Sequence, residues 1–141
     1  MSKRFHRDER LKSRKEIGRL FGKAGQSLSA YPLVLKYAAA EEQRGPFPFQ
    51  AAFVVPKRKF KLAVDRNRIK RRIREAYRLH KATLNGGARE TVSPENGLPE
   101  DAGRRPQYAL MFIYTGKEAM PYRYIEKKMI KLLGKLEEQV R

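Results

Sequence analysis

Apolar residues recur along this chain with two different periods, and the changes of period mark out the elements. Ile17, Leu20, Phe21 and Ala24 repeat at helical spacing. Ser13 followed by Glu16 fits a capping box, in which two orphan backbone donors are satisfied at a helix start, and Gly25 can close the helix. A first helix is expected over about residues 13–24. In YPLVLKYAA the period changes: Leu33, Leu35 and Tyr37 alternate with Val34 and Lys36, a strand that Pro32, lacking a donor N–H, can open. EEQRGPFP reads as a turn and FQAAFVV as a second strand ending near Pro56. The short connection between the two predicts a hairpin.

The helical period returns between Leu62 and Asp65, with Asp65 as the expected N-cap. Ile69, Ile73, Ala76, His80 and Leu84 share one face of that helix, and Tyr77 lies at its edge. Asn67, Lys70, Arg71, Arg74, Arg78 and Lys81 fall on the opposite side. Residues 85–106 hold four Gly and three Pro without periodicity and read as a long flexible loop. QYALMFIY is a third strand, apolar enough to be central. Pro121 opens a last helix whose stripe is Ile125, Met129, Leu132, Leu133, Leu136 and Val140. Three or four strands with three helices in the order αββαβα predict a two-layer α+β sandwich. The chain divides into a basic flexible arm, 1–12, and a single domain, 13–141.

Charge changes the picture. The net charge is +18, and residues 56–81 hold 12 basic residues against 2 acidic ones. Within DRNRIKRRIREAYR, residues 65–78, seven of fourteen side chains are Arg or Lys. Arg66, Lys70, Arg74 and Arg78 stand at successive i, i+4 spacings, where each like-charge pair costs a few tenths of a kcal/mol. Arg66 and Arg68 also sit near the positive end of the helix. Folding alone selects against such clustering, and a polyanion is the natural counterpart. A helix of this kind could also lie on an anionic membrane, but Ile69 and Ile73 give it a thin apolar face.

The exclusions sharpen this. With no cysteine there are no disulfides or thiolate metal sites, and a reducing, cytoplasmic location is expected. No apolar run approaches a membrane span, and the first residues lack the apolar core of a secretory signal. His6 and His80 are isolated, His80 on the apolar side, and no paired carboxylates, Gly-rich phosphate loop or metal-ligand spacing accompany them. Duplex-DNA recognition would call for paired short helices or a zipper, and neither is present. A sheet bearing aromatic rings beside a basic helix fits single-stranded RNA, with bases stacking on rings and cations tracking phosphates. The candidate rings are Phe21, Tyr31, Tyr37, Phe47 and Phe49. These features leave open an RNA-processing subunit and a ribosomal or other structural RNA-binding protein.

AVDRNRIKRRIREAYR resembles the bacterial ribonuclease P protein subunit family. The hallmark of that family is an R-N-R helix, matched by Arg66, Asn67 and Arg68 and continued by I-K-R-x-I-R at Ile69 to Arg74. FVVPKRKFKLAV resembles the family's second strand and lysine-rich turn, and ERLKSRKEIGRLFGKAG its first helix. The order of elements agrees across residues 9–140. The resemblance implies the ribonuclease P protein or ribosomal-protein-like fold, αββαβα with a left-handed βαβ crossover, where a right-handed one would be the default. It implies a large catalytic RNA and precursor tRNA as partners, cleavage of the 5′ leader, magnesium ions held by the RNA, and no metal on protein side chains. No protein partner is implied. Arg66, Asn67, Arg68, Lys70, Arg71 and Arg74 would face the catalytic RNA, with Lys57, Arg58, Lys59 and Lys61 extending the cationic rim. The leader would run past Phe21, Ile17, Lys36 and Tyr37. Ile17 stands where the family has a second aromatic, and Lys36 where it often has a first-strand ring. The turn 56–61 is one residue longer than in some relatives, and 85–106 has the look of an insertion.

Overall fold

The computed structural model describes residues 5–42, 44–85 and 107–140. The described elements run α1 (Arg14–Leu20), β1 (Gln26–Ala30), β2 (Leu33–Ala39), β3 (Phe49–Val54), α2 (Ala63–His80), β4 (Tyr108–Tyr114) and α3 (Tyr122–Val140). Most of the 85–106 loop, residues 86–106, lies outside the described residues.

The four strands form one sheet in the order β1-β2-β4-β3. β2 pairs with β4 antiparallel, from Leu33 opposite Tyr114 to Ala39 opposite Tyr108. β3 and β4 are parallel neighbours joined through α2, so β3-α2-β4 is a βαβ crossover unit. The expected hairpin between β2 and β3 is therefore corrected: β4 separates them. The hairpin of the molecule is β1–β2, turning at Tyr31–Pro32. β4 sits centrally because YALMFIY is apolar toward both faces, and only an interior position covers both.

Each face of the sheet has its own cluster. Leu33, Leu35, Tyr37, Phe49, Ala51, Leu110, Phe112 and Tyr114 meet α2 and α3 through Ile69, Ile73, Ala76, Tyr77, Ile125, Met129, Leu132, Leu133 and Leu136. Burying a large side chain of this kind contributes roughly 1.5–3 kcal/mol. On the other face α1 places Leu20 against Ala38, Ala109 and Met111, with Leu11 in the same cluster. This α+β architecture, a sheet layered on α2 and α3, is the one read from the sequence, with β1 added at an edge.

Local corrections have clear causes. α1 is shorter than predicted and ends at Leu20. Ser13 caps it by accepting from the Glu16 N–H, but the Glu16 carboxylate turns elsewhere. Gly25 is not a left-handed cap, since the only described positive φ belongs to Gly45. It is required for closeness instead: a Cβ there would lie 1.9 Å from the carbonyl oxygen of Leu20. Backbone cannot yield as a side-chain tip can, so Gly25→Ala is expected to cost about 2–3 kcal/mol. An unchanged melting temperature would refute this. Asp65 is not the N-cap of α2; Leu62 is, without a side-chain bond, and Asp65 lies in the first turn where its charge suits the helix dipole.

The expected flexible arm takes a defined course over its described part, residues 5–12. The Leu11 N–H donates to the Ala51 carbonyl at 2.9 Å, and Gln50 Nε2 to the Asp8 carbonyl at 3.0 Å. Glu9 is buried and accepts from Lys81 Nζ at 2.6 and 2.8 Å, which ties the arm to the end of α2. Phe5 packs edge-on against Phe53 and Tyr77.

Candidate nucleic-acid interface

The interface is built on α2, whose two sides follow from its period. Ile69, Ile73, Ala76 and Tyr77 are buried against the sheet and α3. That burial turns Asn67, Arg68 and Arg71 fully outward and leaves Lys70 and Arg74 half-exposed. Among the described residues, Lys70, Arg71 and Arg74 form no ion pair with a carboxylate. The cationic row is therefore not there to balance the protein's own acids.

Other basic residues of the segment have internal duties. Arg66 Nη1 donates to the carbonyls of Phe60 at 2.7 Å and Lys61 at 2.8 Å, clamping the turn into α2. Arg72 reaches the Met120 carbonyl at 2.6 Å and fastens α2 to the start of α3. Arg78 holds Glu75 through two bonds of 2.9 and 2.7 Å, and Lys81 holds Glu9, so the last turn of the row is paired. The Arg78 guanidinium keeps the Glu75 carboxyl below its ordinary pKa. His80 bonds Glu126 at 2.8 Å, joining α2 to α3. In the turn before α2, Lys57, Arg58 and Lys61 are exposed, and Lys59 donates to the Thr115 carbonyl at 2.8 Å.

The expected leader residues separate. Ile17, on α1, and Lys36 share the α1 side of the sheet, beside Ala52, Val54 and Ile113. Phe21 follows α1 and is 60% exposed, so its ring is open to stacking. Tyr37 does not join them. It is 4% exposed in the α2–α3 core, and its hydroxyl donates to Gln26 Oε1 at 3.0 Å. Burial pushes that phenol's pKa upward. Of the other rings, Phe49 is buried against Tyr108, Phe47 stacks on His6 at 5.1 Å, and Tyr31 is exposed at the β1–β2 turn.

Two residues that the sequence reading did not single out line the same surface. Arg10 stands across a groove from Arg71 and Arg74, and Phe5 forms its apolar wall. A lone Phe in a largely polar arm was the available signal. No group of three or more His, Asp or Glu among the described residues could hold a metal ion, and no described helix is long and apolar enough to cross a membrane.

A mixed sheet backed by two helices, one carrying an unneutralised cationic row, defines an RNA-binding α+β protein. The family model for ribonuclease P matches residues 5–137, and the chain belongs to the ribonuclease P protein family. It is 35% identical over 127 residues to the ribonuclease P protein component of Porphyromonas gingivalis, covering 90% of this chain and 82% of that one. It is 34% identical over 118 residues to that of Chlorobaculum tepidum, covering 82% and 70%. The fold is shared with the RNase P protein of Staphylococcus aureus, at TM-score 0.61 and 20% identity over 94% of this chain and 98% of that one. It is shared also with the RNase P protein of Thermotoga maritima, at TM-score 0.60 and 21% identity over 89% and 96%.

Proposed function

We propose that this chain is the protein subunit of a ribonuclease P holoenzyme in the cytoplasm, binding both the catalytic RNA and the 5′ leader of precursor tRNA. The observation that carries the reading is the outward row Arg68, Lys70, Arg71 and Arg74, unmatched by described carboxylates, in a chain of this family. The catalytic RNA packs on that row and on the rim of Lys57, Arg58 and Lys61, while Asn67 offers a neutral amide beside them. The leader runs along the α1 side of the sheet, over Ile17 and Lys36, with one base on Phe21.

The protein's contribution is electrostatic and positional. RNA and leader are both polyanions, and a layer of cations between them lowers their repulsion and releases counterions. Less repulsion strengthens precursor binding and eases occupancy of magnesium sites on the RNA, which supplies the cleavage chemistry. No protein side chain serves as acid, base or metal ligand.

Mixing the purified chain with a catalytic ribonuclease P RNA and precursor tRNA at low magnesium is expected to raise the rate of correct 5′ processing. The enhancement should fade as magnesium is increased, because bulk cations then do the same screening. Processing at the rate of the RNA alone under low magnesium would sink the proposal.

A further inference from the structure

Between the N-terminal arm and α2 lies an open groove of about 530 Å³ lined by Phe5, Arg10, Arg71, Arg74, Glu75 and Arg78. Four guanidiniums and one carboxylate give it a net charge of +3 (four minus one). Arg71, Arg74 and Arg78 form one wall, spaced i, i+3 and i+7 along α2, and Arg10 comes from the arm on the other side. Glu75 is already held by Arg78 in a two-bond pair. Among the described residues Arg10, Arg71 and Arg74 make no ion pair.

The groove is built rather than incidental. Phe5 is wedged between Phe53 and Tyr77, and Arg10 lies over the Phe5 ring at 5.8 Å. The Lys81–Glu9 bridge and the Leu11–Ala51 bond fix the arm at the distance that leaves the groove open. Holding three guanidiniums around one concavity is unfavourable unless an anion enters it. A planar fork matches two oxygens of a phosphate, so opposed arginines can grip a single group from both sides. The apolar Phe5 wall suits the sugar or base attached to that group and offers nothing to a free ion.

The geometry points to a subsite for one phosphodiester of the partner RNA, clamped between Arg10 on the arm and Arg71 and Arg74 on α2, with the adjoining nucleoside against Phe5. This subsite rests on the RNA-binding function proposed above and adds to it a defined position and two residues outside the R-N-R helix. Glu75 acts within it as a brake, since its carboxylate faces the same space as the incoming phosphate.

The test uses the full chain and the catalytic ribonuclease P RNA, measuring affinity against salt concentration for Arg10→Ala and Glu75→Gln. Arg10→Ala is expected to weaken binding about tenfold and lower the salt slope by about one. Glu75→Gln is expected to tighten binding about threefold by removing an opposing charge. On RNA with singly ethylated phosphates, one position should interfere with wild-type binding and no longer interfere with Arg10→Ala. Arg10 is exposed, so melting temperatures should match; should Arg10→Ala fold poorly, Arg10→Gln and the gain from Glu75→Gln decide. Wild-type affinity in both variants, with Arg68→Ala still impaired, overturns the groove and leaves the RNA interface standing. Weaker binding by Glu75→Gln also overturns it. Absence of salt-dependent binding by the wild type would instead overturn the function itself.

Discussion

Replacing Arg68 and Arg71 together by alanine is expected to weaken binding to the catalytic RNA by roughly 30–100-fold at moderate salt. Each guanidinium that bonds a phosphate contributes about tenfold, from the ~1.5–3 kcal/mol of a hydrogen bond to a charged group. The two lie at i and i+3, so the effects need not add fully. The slope of log affinity against log salt should fall by about two, one for each lost phosphate contact. Stability should hardly move. Both side chains are exposed and neither anchors a described neighbour. Surface changes away from such anchors stay within about 0.5 kcal/mol. The contrast with Arg66→Ala and Arg72→Ala is informative, because those guanidiniums cap the carbonyls of Phe60, Lys61 and Met120. Their loss should lower the melting temperature as well as the affinity. If Arg68→Ala/Arg71→Ala chiefly destabilises the fold and leaves the salt slope intact, the cationic row is structural.

That separation between outward and anchoring arginines shows where the sequence stops being informative. Helical period alone assigned Ile69, Ile73 and Ala76 to the core and Arg71 and Arg74 to the surface, because amphipathicity is local. Whether a given arginine reaches a carbonyl depends on residues as distant as Met120, which spacing along α2 cannot reveal. The strands show the same divide. β4 announced its central place by being apolar on both faces. β1, QSLSA, sends only Leu28 and Ala30 into the core, with Gln26 at the rim of the same face holding the Tyr37 hydroxyl and the two serines on the opposite face, so an edge strand with little to bury left no readable alternation. The β2–β3 hairpin was misjudged because loop length is a local signal, whereas the position of β4 between the two strands is set by non-local pairing. Tyr37 was expected at the leader although it shares a face with Leu33 and Leu35, and the alternation that buries them buries it.

Glu16→Gln is expected to destabilise the protein by about 2–3 kcal/mol at neutral pH, lowering the melting temperature by roughly 6–10 °C. The Glu16 side chain is 1% exposed and accepts from Arg19 Nη1 at 2.8 Å, Arg44 Nη1 at 2.7 Å and the Glu41 N–H at 3.0 Å. The figure sits below the usual cost of breaking a buried pair because both arginines are 28% exposed and can rehydrate. Burial by itself would raise the carboxyl's pKa, but the bonds from Arg44, Arg19 and the Glu41 N–H outweigh it and hold the pKa below its ordinary value of 4.5. A depressed folded-state pKa means stability that is present above pH 4.5 and lost as the pH falls through the folded value. The gap between wild type and Glu16→Gln should therefore be widest at neutral pH and narrow in acid, where protonated Glu16 resembles glutamine. Chemical denaturation across the acid range measures it, and a gap independent of pH would remove the charge from the explanation. The consequence reaches the interface. Glu16 joins α1 to the segment after β2 through Glu41 and Arg44, and α1 carries Ile17 and positions Phe21. Acid conditions that loosen this anchor should impair leader contacts before they affect the cations of α2.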